Sequence, residues 1–375
     1  MANLNLTSNL KMNHSICWLR RRFNWMGEHS GYDLLCNAIA TLPSNNGYHS
    51  IWHSPEQPLP RGTSRLISRV SKGVKSSPTY NLSSTYAEVK LFLEAWRKQP
   101  ELIHITYVEN QLGMIADWRQ YLRSKIIGTA HQPPSWWRLQ HKFPSSISAL
   151  DALIVPARSQ LYYFEQYLPG RVFYIPHGID INFFCPKVEF NQSFKKPRCI
   201  FVGIHLRDIA TLSKIVDQVL LAKPHVQFDL VIPRKNRTYQ EPSQIKLAQY
   251  DQVHWHTNLS DEQLRNLYQN ATLLVLPLFD CTANNAVLEA IACGLPIISN
   301  NVGGMPDYTD SSFASLFPIE DIQGMTNAII DLLENPEKCI EKANKAREYA
   351  TNHFSWSKVA AKTYEIYEKV ISSSI

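Results

Sequence analysis

The sequence lacks a long hydrophobic run. A typical strong apolar run, Leu273–Phe279, is seven residues long and contains Pro277, whereas a membrane-spanning helix needs about 18 or more apolar residues. The first 25 residues contain no uninterrupted apolar segment, and Arg20–Arg22 follow the apolar patch instead of preceding it. These absences predict a chain without a transmembrane helix and without a cleaved secretory signal.

Cysteine pairs are also missing. The seven cysteines form no Cys-x-x-Cys motif, and their number is odd. Disulfide frameworks and structural zinc sites use even sets or closely spaced pairs. We therefore expect reduced thiols that are buried or idle, in a cytoplasmic protein.

Charge is sparse and unevenly distributed. Charged residues make up 19% of the 375 residues and apolar residues 44%, which excludes a disordered chain and suits two domains. Residues 1–170 hold 18 basic and 10 acidic side chains, a net +8, whereas residues 171–375 hold 20 and 22, a net −2. The first half is therefore expected to meet an anionic partner. Nucleic acid is an improbable one, because the basic residues accompany no reader motif.

Short apolar runs alternate with amphipathic segments along the chain. The predicted strands are Ile16–Leu19, Leu102–Val108, Lys125–Ala130, Ala152–Pro156, Val172–Ile175, Cys199–Gly203, Gln227–Ile232, Val253–His256, Thr272–Leu276 and Pro296–Ser299. This alternation is typical of parallel sheets covered by helices. It predicts two doubly wound α/β domains, residues 1–178 and 190–354, with ligands bound at the carboxyl ends of the strands.

Proline, serine, glycine and basic residues crowd the segment 41–85. Such a composition predicts a long loop instead of a domain boundary. The loop is either a solvated basic surface or a binding element.

The segment Thr272–Tyr308 carries the strongest chemical signal. Asn284 and Asn285 open a predicted helix, whose free N–H groups and positive dipole end suit a diphosphate. Glu289 lies one turn further on the same face, where a carboxylate can accept hydrogen bonds from sugar hydroxyls. Gly303 and Gly304 permit close approach of the backbone to a ligand. The alternative is purely structural: the asparagines cap the helix and Glu289 complements its dipole.

Thr282–Pro296 resembles the donor-binding signature of the retaining glycosyltransferases of family 4 (glycosyl transferases group 1). Further segments of the chain follow the family's order: Ile175–Asp180, Phe201–Gly203, Leu259–Pro277 and Phe354–Trp356, with a weaker echo at His29–Asp33. The resemblance implies the GT-B fold, two Rossmann-like domains that face a central cleft. It also implies that the first domain binds the acceptor, that the second binds the nucleotide sugar, and that a C-terminal helix, residues 355–375, packs back onto the first domain.

The resemblance assigns roles to individual residues. Glu289 is expected to hold the nucleotide ribose, whereas the position of the family's other glutamate is Cys281, for which Asp280 is the nearest substitute. Arg207 and Lys235 are expected to neutralise the leaving diphosphate, although Arg207 could instead pair with Asp208. The remaining donor contacts are expected from Thr282, Asn284, Asn285, Ala286, Gly303 and Gly304.

Other candidates come from the first half of the chain. His131 ends a predicted strand and resembles the family's active-site histidine, which is expected at the reacting centre. The following Trp136 and Trp137 are expected to stack on sugar faces, and His29 with Gly31 to shape the acceptor side.

These features predict a glycosyltransferase that moves a hexose from a UDP-, GDP- or ADP-linked donor to a hydroxyl of a glycan, lipid or metabolite, with retention at the anomeric carbon. No metal cofactor is expected, because no two aspartates stand at i and i+2. The alternative is a non-catalytic nucleotide- or sugar-binding protein at a membrane surface, which Cys281 favours; an epimerase or phosphorylase of the same fold is a lesser one. The positive first half is expected to face an anionic acceptor or the inner membrane face through Arg20–Arg22 and Arg61–Lys75.

Overall fold

The computed structural model describes residues 14–23, 26–42, 47–53, 59–60, 62–74, 77–140, 145–187, 196–237 and 241–373. Within these ranges the chain forms two separate parallel sheets of six strands each, both covered by helices. The strands are β1 Ile16–Arg21, β2 Tyr48–His53, β3 Leu102–Ile105, β4 Lys125–Thr129, β5 Ala152–Val155, β6 Val172–Tyr174, β7 Arg198–Val202, β8 Gln227–Val231, β9 Val253–His256, β10 Leu273–Leu276, β11 Ile297–Asn300 and β12 Ala314–Phe317. The helices are α1 Leu34–Ala40, α2 Ser64–Ser71, α3 Leu82–Lys98, α4 Val108–Gln111, α5 Met114–Asp117, α6 Pro134–Leu139, α7 Leu161–Glu165, α8 Ile209–Ala222, α9 Pro242–Leu247, α10 Asp261–Asn270, α11 Asn285–Ala292, α12 Met305–Tyr308, α13 Ile322–Glu334, α14 Pro336–His353 and α15 Trp356–Ser372.

The first sheet has the strand order β2-β1-β3-β4-β5-β6. Successive residues of β1 supply two different cores: Cys17 and Leu19 join the core on one face, and Ile16 and Trp18 join the core on the other. The strand order reverses between β1 and β3. The loops that follow these two strands therefore open a crevice at the carboxyl edge of the sheet.

The second sheet has the order β9-β8-β7-β10-β11-β12, and its order reverses between β7 and β10. The loops after these strands lie side by side, because Arg207 forms a bridge with Leu278. Two doubly wound α/β domains were predicted from the apolar runs, and the two sheets confirm that fold class. In both domains the reversal of strand order predicts that a ligand binds between the two loops that follow the strands at the reversal.

The chain passes between the domains twice, at neighbouring places. After β6 it runs through Ile179, whose N–H donates to the Phe354 carbonyl at 2.8 Å and which pairs with Ser355. From there α15 returns to the first domain, where Val359 and Tyr367 join the core that contains β1 and α1.

The prediction of a long loop over residues 41–85 was wrong. This segment contains β2, α2 and the start of α3, although residues 43–46, 54–58, 61 and 75–76 lie outside the described residues. Strand β2 pairs with β1 on one side only and is largely polar, so it shows no apolar run. Strand β12, also at a sheet edge, was likewise not predicted, and β3 ends at Ile105, earlier than expected.

The predicted basic surface is only partly present. Arg20 and Arg21 are buried, and Arg20 donates to the Asp33 carbonyl and to Asn37 Oδ1, both at 2.8 Å. The prediction that they face an anionic partner was therefore wrong for these two residues. On α2 and just after it, three basic side chains are exposed, namely Arg65, Arg69 and Lys72, while Arg61 and Lys75 lie outside the described residues. None of the helices described here is long and apolar enough to cross a bilayer.

Candidate functional site

The two crevices face each other, and hydrogen bonds join their loops. Ser30, in the loop between β1 and α1, donates through Oγ to Glu289 Oε1 at 2.6 Å, and its carbonyl accepts from Asn285 Nδ2 at 2.7 Å. Thr282 Oγ1 donates to the His131 carbonyl on the other side of the cleft. The structure thus brings most of the predicted site residues to one place between the domains.

Helix α11 begins at the cleft with a side-chain cap. Asn284 Oδ1 accepts from the N–H of Ala286 at 3.1 Å and from Arg207 Nη2 at 3.0 Å. The Asn284 Nδ2 amide is buried and has no hydrogen-bond partner among the described residues. The cap is therefore structural, as the alternative interpretation held, but it also presents an unsatisfied donor beside a cation.

Arg207 is held by neutral groups. Its guanidinium donates to the carbonyls of Val202 at 3.1 Å and His205 at 2.9 Å, besides Asn284. Asp208 does not pair with it; this carboxylate caps α8 by accepting from the Thr211 N–H at 2.9 Å. Burial lowers the pKa of Arg207 to about 10, which still leaves it charged at neutral pH. Across the described residues no carboxylate forms an ion pair with this guanidinium, so it is a partly desolvated cation available to an anion.

Glu289 is 4% exposed and uses both carboxylate oxygens. Besides Ser30, Tyr268 donates through its hydroxyl to Oε2 at 2.8 Å. Burial raises the pKa of Glu289 to about 7, while both hydrogen bonds and the nearby charge of Arg207 oppose that rise. Sequence reasoning missed Tyr268, since nothing in its helical pattern separates it from an ordinary core residue. Ser30 lies within the segment that weakly resembled the family, but its link to Glu289 spans 259 positions.

Cys281 cannot replace a carboxylate in the donor loop. Its buried thiol lies 3.7 Å from the Val302 carbonyl, and burial raises the pKa of the thiol to about 12, so it stays neutral. The carboxylate in this loop is Asp280, which accepts from the Cys281 N–H at 2.7 Å and from the Ser135 hydroxyl across the cleft.

The loop after β11 packs closely on the donor loop. The Gly304 N–H donates to the Cys281 carbonyl at 2.9 Å. Gly303 has φ of 50°, and a Cβ atom there would lie 2.1 Å from the same carbonyl oxygen. Only glycine meets both conditions, so Gly303 is required by the shape of the site.

His131 follows β4 at the cleft. Its Nε2 lies 2.9 Å from the Thr106 carbonyl, which can only accept, so Nε2 carries the proton and Nδ1 is an acceptor. The ring stacks on Tyr107 with centroids 4.2 Å apart and meets the edge of Tyr32 at 4.5 Å. Burial, helped by the neighbouring His177, lowers the pKa of His131 to about 3, which keeps the ring neutral.

The backbone around His131 is fixed by a carboxylate that sequence reasoning missed. Glu109 is buried, and its Oε1 accepts from the N–H groups of His131 and, at 2.7 Å, of Gln132. Burial raises the pKa of Glu109 to about 7. Glu109 follows β3, the other strand at the order reversal, and its position in the chain gave no sign of this contact.

The loop between β1 and α1 is held against the second domain by hydrogen bonds and by a stacked pair of rings. His29 Nδ1 lies 2.7 Å from Asp180 Oδ2, and its ring stacks on Phe183 with centroids 3.6 Å apart. Asp261 Oδ2, at the start of α10, accepts from the Glu28 N–H at 2.6 Å and from the His29 N–H at 3.2 Å. In the same loop, a Cβ atom on Gly31 would lie 2.0 Å from Asp33 Oδ1. His29 therefore lies at the domain contact, and Gly31 lies in the same loop, against Asp33 of its own domain.

The structure contradicts one predicted site residue, Trp137, and places another, Lys235, on an exposed turn. Lys235 is exposed in a short 3-10 turn after β8. Trp137 is 1% exposed; it packs against Phe164 and donates through Nε1 to the Gln132 carbonyl at 3.1 Å. The expectation that Trp137 stacks on a sugar in the cleft was wrong, because its ring belongs to the core, and Trp136 beside it is half-buried. Among the described residues no group of three or more His, Cys, Asp or Glu side chains could hold a metal ion.

Residues 196–335, which span most of the second domain, match the family described as glycosyl transferases group 1. The chain is 27% identical over 209 residues to the MMP alpha-(1->4)-mannosyltransferase of Mycolicibacterium hassiacum, covering 54% of this chain and 50% of that protein. It is 25% identical to the alpha-maltose-1-phosphate synthase of Mycolicibacterium smegmatis, covering 66% of this chain and 69% of that protein. The chain thus spans about half to two thirds of the length of these relatives.

Solved structures resemble the chain over nearly its full length. The sucrose-phosphate synthase of Thermosynechococcus elongatus superposes with a TM-score of 0.72 at 18% identity, covering 96% of this chain and 100% of that one. Anabaena HepE in complex with UDP-glucose superposes with a TM-score of 0.66 at 14% identity, covering 95% of this chain and 100% of that one. At these identities the likeness shows the fold alone.

Proposed function

Because its second domain belongs to the glycosyl transferases group 1 and the whole chain has the GT-B fold, we propose that this protein transfers a hexose from a nucleoside-diphosphate sugar to an acceptor hydroxyl, with retention at the anomeric carbon. The family match and the names of the relatives support sugar transfer. The complex of HepE with UDP-glucose supports a nucleotide-sugar donor.

The observation that carries the proposal is the pairing of Arg207 with the start of α11. A leaving nucleoside diphosphate accumulates negative charge. Hydrogen-bond donors and cations that are already fixed where this charge develops stabilise the transition state. Arg207 is a half-buried cation without a carboxylate partner among the described residues, and it contacts Asn284, whose Nδ2 is unsatisfied. The N–H groups at the helix start add a positive dipole end. In this proposal these groups, and no metal, neutralise the diphosphate.

The remaining roles follow from the charge state of each side chain. Glu289 has two oxygens that accept hydrogen bonds and lies beside Arg207, which suits it to hold the two ribose hydroxyls. His131 is neutral and offers Nδ1 as an acceptor, which suits contact with a hydroxyl of the transferred hexose or of the acceptor. In the retaining reaction the bond from the anomeric carbon to the diphosphate breaks as the bond to the acceptor oxygen forms on the same face. The proton of the acceptor hydroxyl then passes to the departing phosphate oxygen, so we assign no protein nucleophile.

The test is release of nucleoside diphosphate from UDP-, GDP- and ADP-linked hexoses, with product stereochemistry read by NMR. We expect release with one donor class, in the presence of EDTA as well as without it. Arg207→Ala is expected to lower kcat about 10²-fold or more, whereas Lys214→Ala, which removes an exposed cation on α8, serves as the matched control. Donor binding without release would favour the non-catalytic alternative, and an inverted product would contradict retention.

A second, separate property is proposed for α2. Arg65, Arg69 and Lys72 are exposed there, and Leu66 between them is 62% exposed. Each basic residue near an anionic bilayer contributes about 1 kcal/mol to binding. We expect this surface to bind vesicles that contain phosphatidylserine at low salt, and Arg65→Glu with Arg69→Glu to abolish that binding. Equal recovery of protein with neutral and anionic vesicles would contradict the proposal.

A further inference from the structure

Glu109 leaves one buried carboxylate oxygen without a partner among the residues that the structure describes. It lies in α4, directly after β3, and is 3% exposed. Its Oε1 atom accepts from the backbone N–H groups of His131 and Gln132, whereas Oε2 accepts no hydrogen bond. Oε2 is the only buried carboxylate oxygen in this condition in the described parts of the chain. A buried polar atom without a partner costs free energy, so it needs a physical explanation.

A second carboxylate of the same domain shows the contacts of a purely structural role. Glu88, in α3, is fully buried and also accepts from backbone N–H groups. Its Oε1 accepts from Gly113 at 3.0 Å, and its Oε2 accepts from Met114 at 2.7 Å and from the Tyr80 hydroxyl at 2.5 Å. Burial raises the pKa of both carboxyl groups to about 7. They differ in one respect: Glu88 uses both oxygens for the fold, whereas Glu109 uses one.

The unused oxygen belongs to the crevice of the first sheet. The N–H groups that hold Oε1 come from the loop after β4. Arg21, at the end of β1, is close enough for its positive charge to oppose the rise in the pKa of Glu109. Glu109, which itself follows β3, therefore lies beside the loops after β1 and β4. The strand order reverses between β1 and β3, and ligands of doubly wound sheets bind at such a reversal.

An unused donor lies in the same turn of helix. Gln111 is fully buried; its Oε1 accepts from the Tyr107 N–H at 2.9 Å, while its Nε2 has no partner among the described residues. The Thr106 hydroxyl, 3.4 Å from the same Oε1, donates to the Leu19 carbonyl of β1 at 2.9 Å, so this amide lies at the junction of β1 and β3. Hydroxyl groups both donate and accept, so a polyol can satisfy both unused atoms. A second anion would be repelled by the carboxylate.

We propose that Glu109 Oε2 and Gln111 Nε2 bind hydroxyl groups of a polyol, and that this polyol is the acceptor of the transferred hexose. The second clause rests on the proposed function; the first does not. Glu109 also fixes the backbone beside His131, so a single side chain joins acceptor binding to the position of that ring. At this point of the crevice the acceptor is recognised through neutral hydroxyls and not through a phosphate or carboxylate.

The variant Glu109→Gln isolates the unused oxygen. The two backbone N–H groups need an oxygen, so the amide oxygen takes the place of Oε1 and the NH₂ group takes the place of Oε2. The contacts that support the fold are kept, while the unused acceptor becomes a donor. Glu88→Gln is the matched control, because it makes the same change in a buried carboxylate whose two oxygens both have partners.

Binding is measured without a donor, by saturation-transfer NMR of the full chain with methyl α-glucoside, methyl α-mannoside, myo-inositol and glycerol, at about pH 8, above the pKa of Glu109. We expect at least one of these compounds to bind the wild-type chain. Glu109→Gln is expected to weaken that binding at least about tenfold, because a hydrogen bond to a charged group is lost, whereas Glu88→Gln leaves it unchanged. A wild-type chain that binds none of the compounds overturns the proposal, and so does equal affinity of the wild-type and Glu109→Gln chains.

A crystal structure with the bound compound gives a second readout that needs no variant. We expect a hydroxyl within about 3.2 Å of Oε2, and a compound bound elsewhere overturns the proposal. Turnover tests the link to transfer: Glu109→Gln is expected to raise KM for the compound at least about tenfold and KM for the nucleotide sugar by less. Equal changes in both KM values overturn the assignment to the acceptor. Binding of a compound without diphosphate release from any nucleotide sugar leaves Glu109 as a polyol site and contradicts only the proposed function.

Discussion

In this structure Glu289 already accepts a hydrogen bond from Ser30 of the first domain. The variant Ser30→Ala therefore tests whether that bond competes with a ligand for Glu289. Ser30 donates to Glu289 Oε1 at 2.6 Å, and Tyr268 donates to the other oxygen. A ribose that binds Glu289 must therefore displace the serine hydroxyl. Removing that hydroxyl removes the competitor, so we expect Ser30→Ala to bind nucleotide more tightly than the wild-type chain.

The size of the effect follows from the hydrogen bond that is lost. Above its pKa of about 7, Glu289 is ionised, and at such pH a hydrogen bond to this charged group contributes about 1.5–3 kcal/mol net. Ser30→Ala should lower the free energy of unfolding of the ligand-free protein by about this amount. If a ribose hydroxyl restores the bond in the complex, the same free energy appears as tighter binding, about 10- to 150-fold in Kd.

Calorimetric titration with UDP, GDP and ADP measures the Kd, and thermal unfolding measures the stability. Ser135→Ala is the matched control, because it removes another hydroxyl that crosses the cleft, from Ser135 to Asp280 instead of Glu289. Weaker or unchanged nucleotide binding by Ser30→Ala would refute the competition. An equal gain in Ser135→Ala would show that loosening the cleft, and not freeing Glu289, is the cause.

Three further predictions concern the same cleft. Asn284→Ala removes the α11 cap and the Arg207 contact, so we expect about 0.5–2 kcal/mol lower stability by denaturant unfolding and about tenfold weaker nucleoside-diphosphate binding by calorimetry; unchanged binding would contradict the anion site. Gly170 has φ of 69° and open space around it, so Gly170→Ala should lower the free energy of unfolding by about 1–2 kcal/mol through backbone strain alone. Gly303→Ala should lower it by about 1–3 kcal/mol more, because the new Cβ atom overlaps the Cys281 carbonyl. Equal unfolding midpoints for the two variants would refute the packing argument. The pKa of Glu289 is raised to about 7 in the folded protein, so stability is fully present below about pH 4.5 and is lost as pH rises through 7, by on the order of 3 kcal/mol; Glu289→Gln should flatten that part of the pH profile, and an unaltered profile would contradict the assignment.

Local patterns in the sequence were sufficient for much of the fold. The apolar runs that became β7 and β10 are buried, and buried parallel strands need continuous apolar sequence. The cap at Ser260 is also a local pattern, since Gln263 stands three residues later and completes the capping box at the start of α10. Strand β2 was missed for the complementary reason: one of its sides has no neighbouring strand, so its residues do not have to be apolar.

The site was predictable where it follows one stretch of chain. Asn284, Asn285 and Glu289 share a helix, and their spacing alone places them together. The partners of that helix come from distant positions: Ser30 contacts Glu289 across 259 positions, and Arg207 contacts Asn284 across 77. The periodicity of apolar residues along the sequence carries no information about such long-range pairs. Lys235 follows β8 and is exposed in the turn there, and its role at the diphosphate stays a prediction.

The chain crosses between the domains at two neighbouring places, and these crossings determine which fragments of the protein retain a complete core. Removing α15 would expose the face of the first sheet that Val359, Tyr364 and Tyr367 cover. A fragment that ends in the linker after β6 therefore lacks the helix that covers one face of its sheet. A fragment that begins after this linker keeps α15, whose apolar side is then exposed to solvent. Both cores are therefore covered only when the two sheets and α15 are present together.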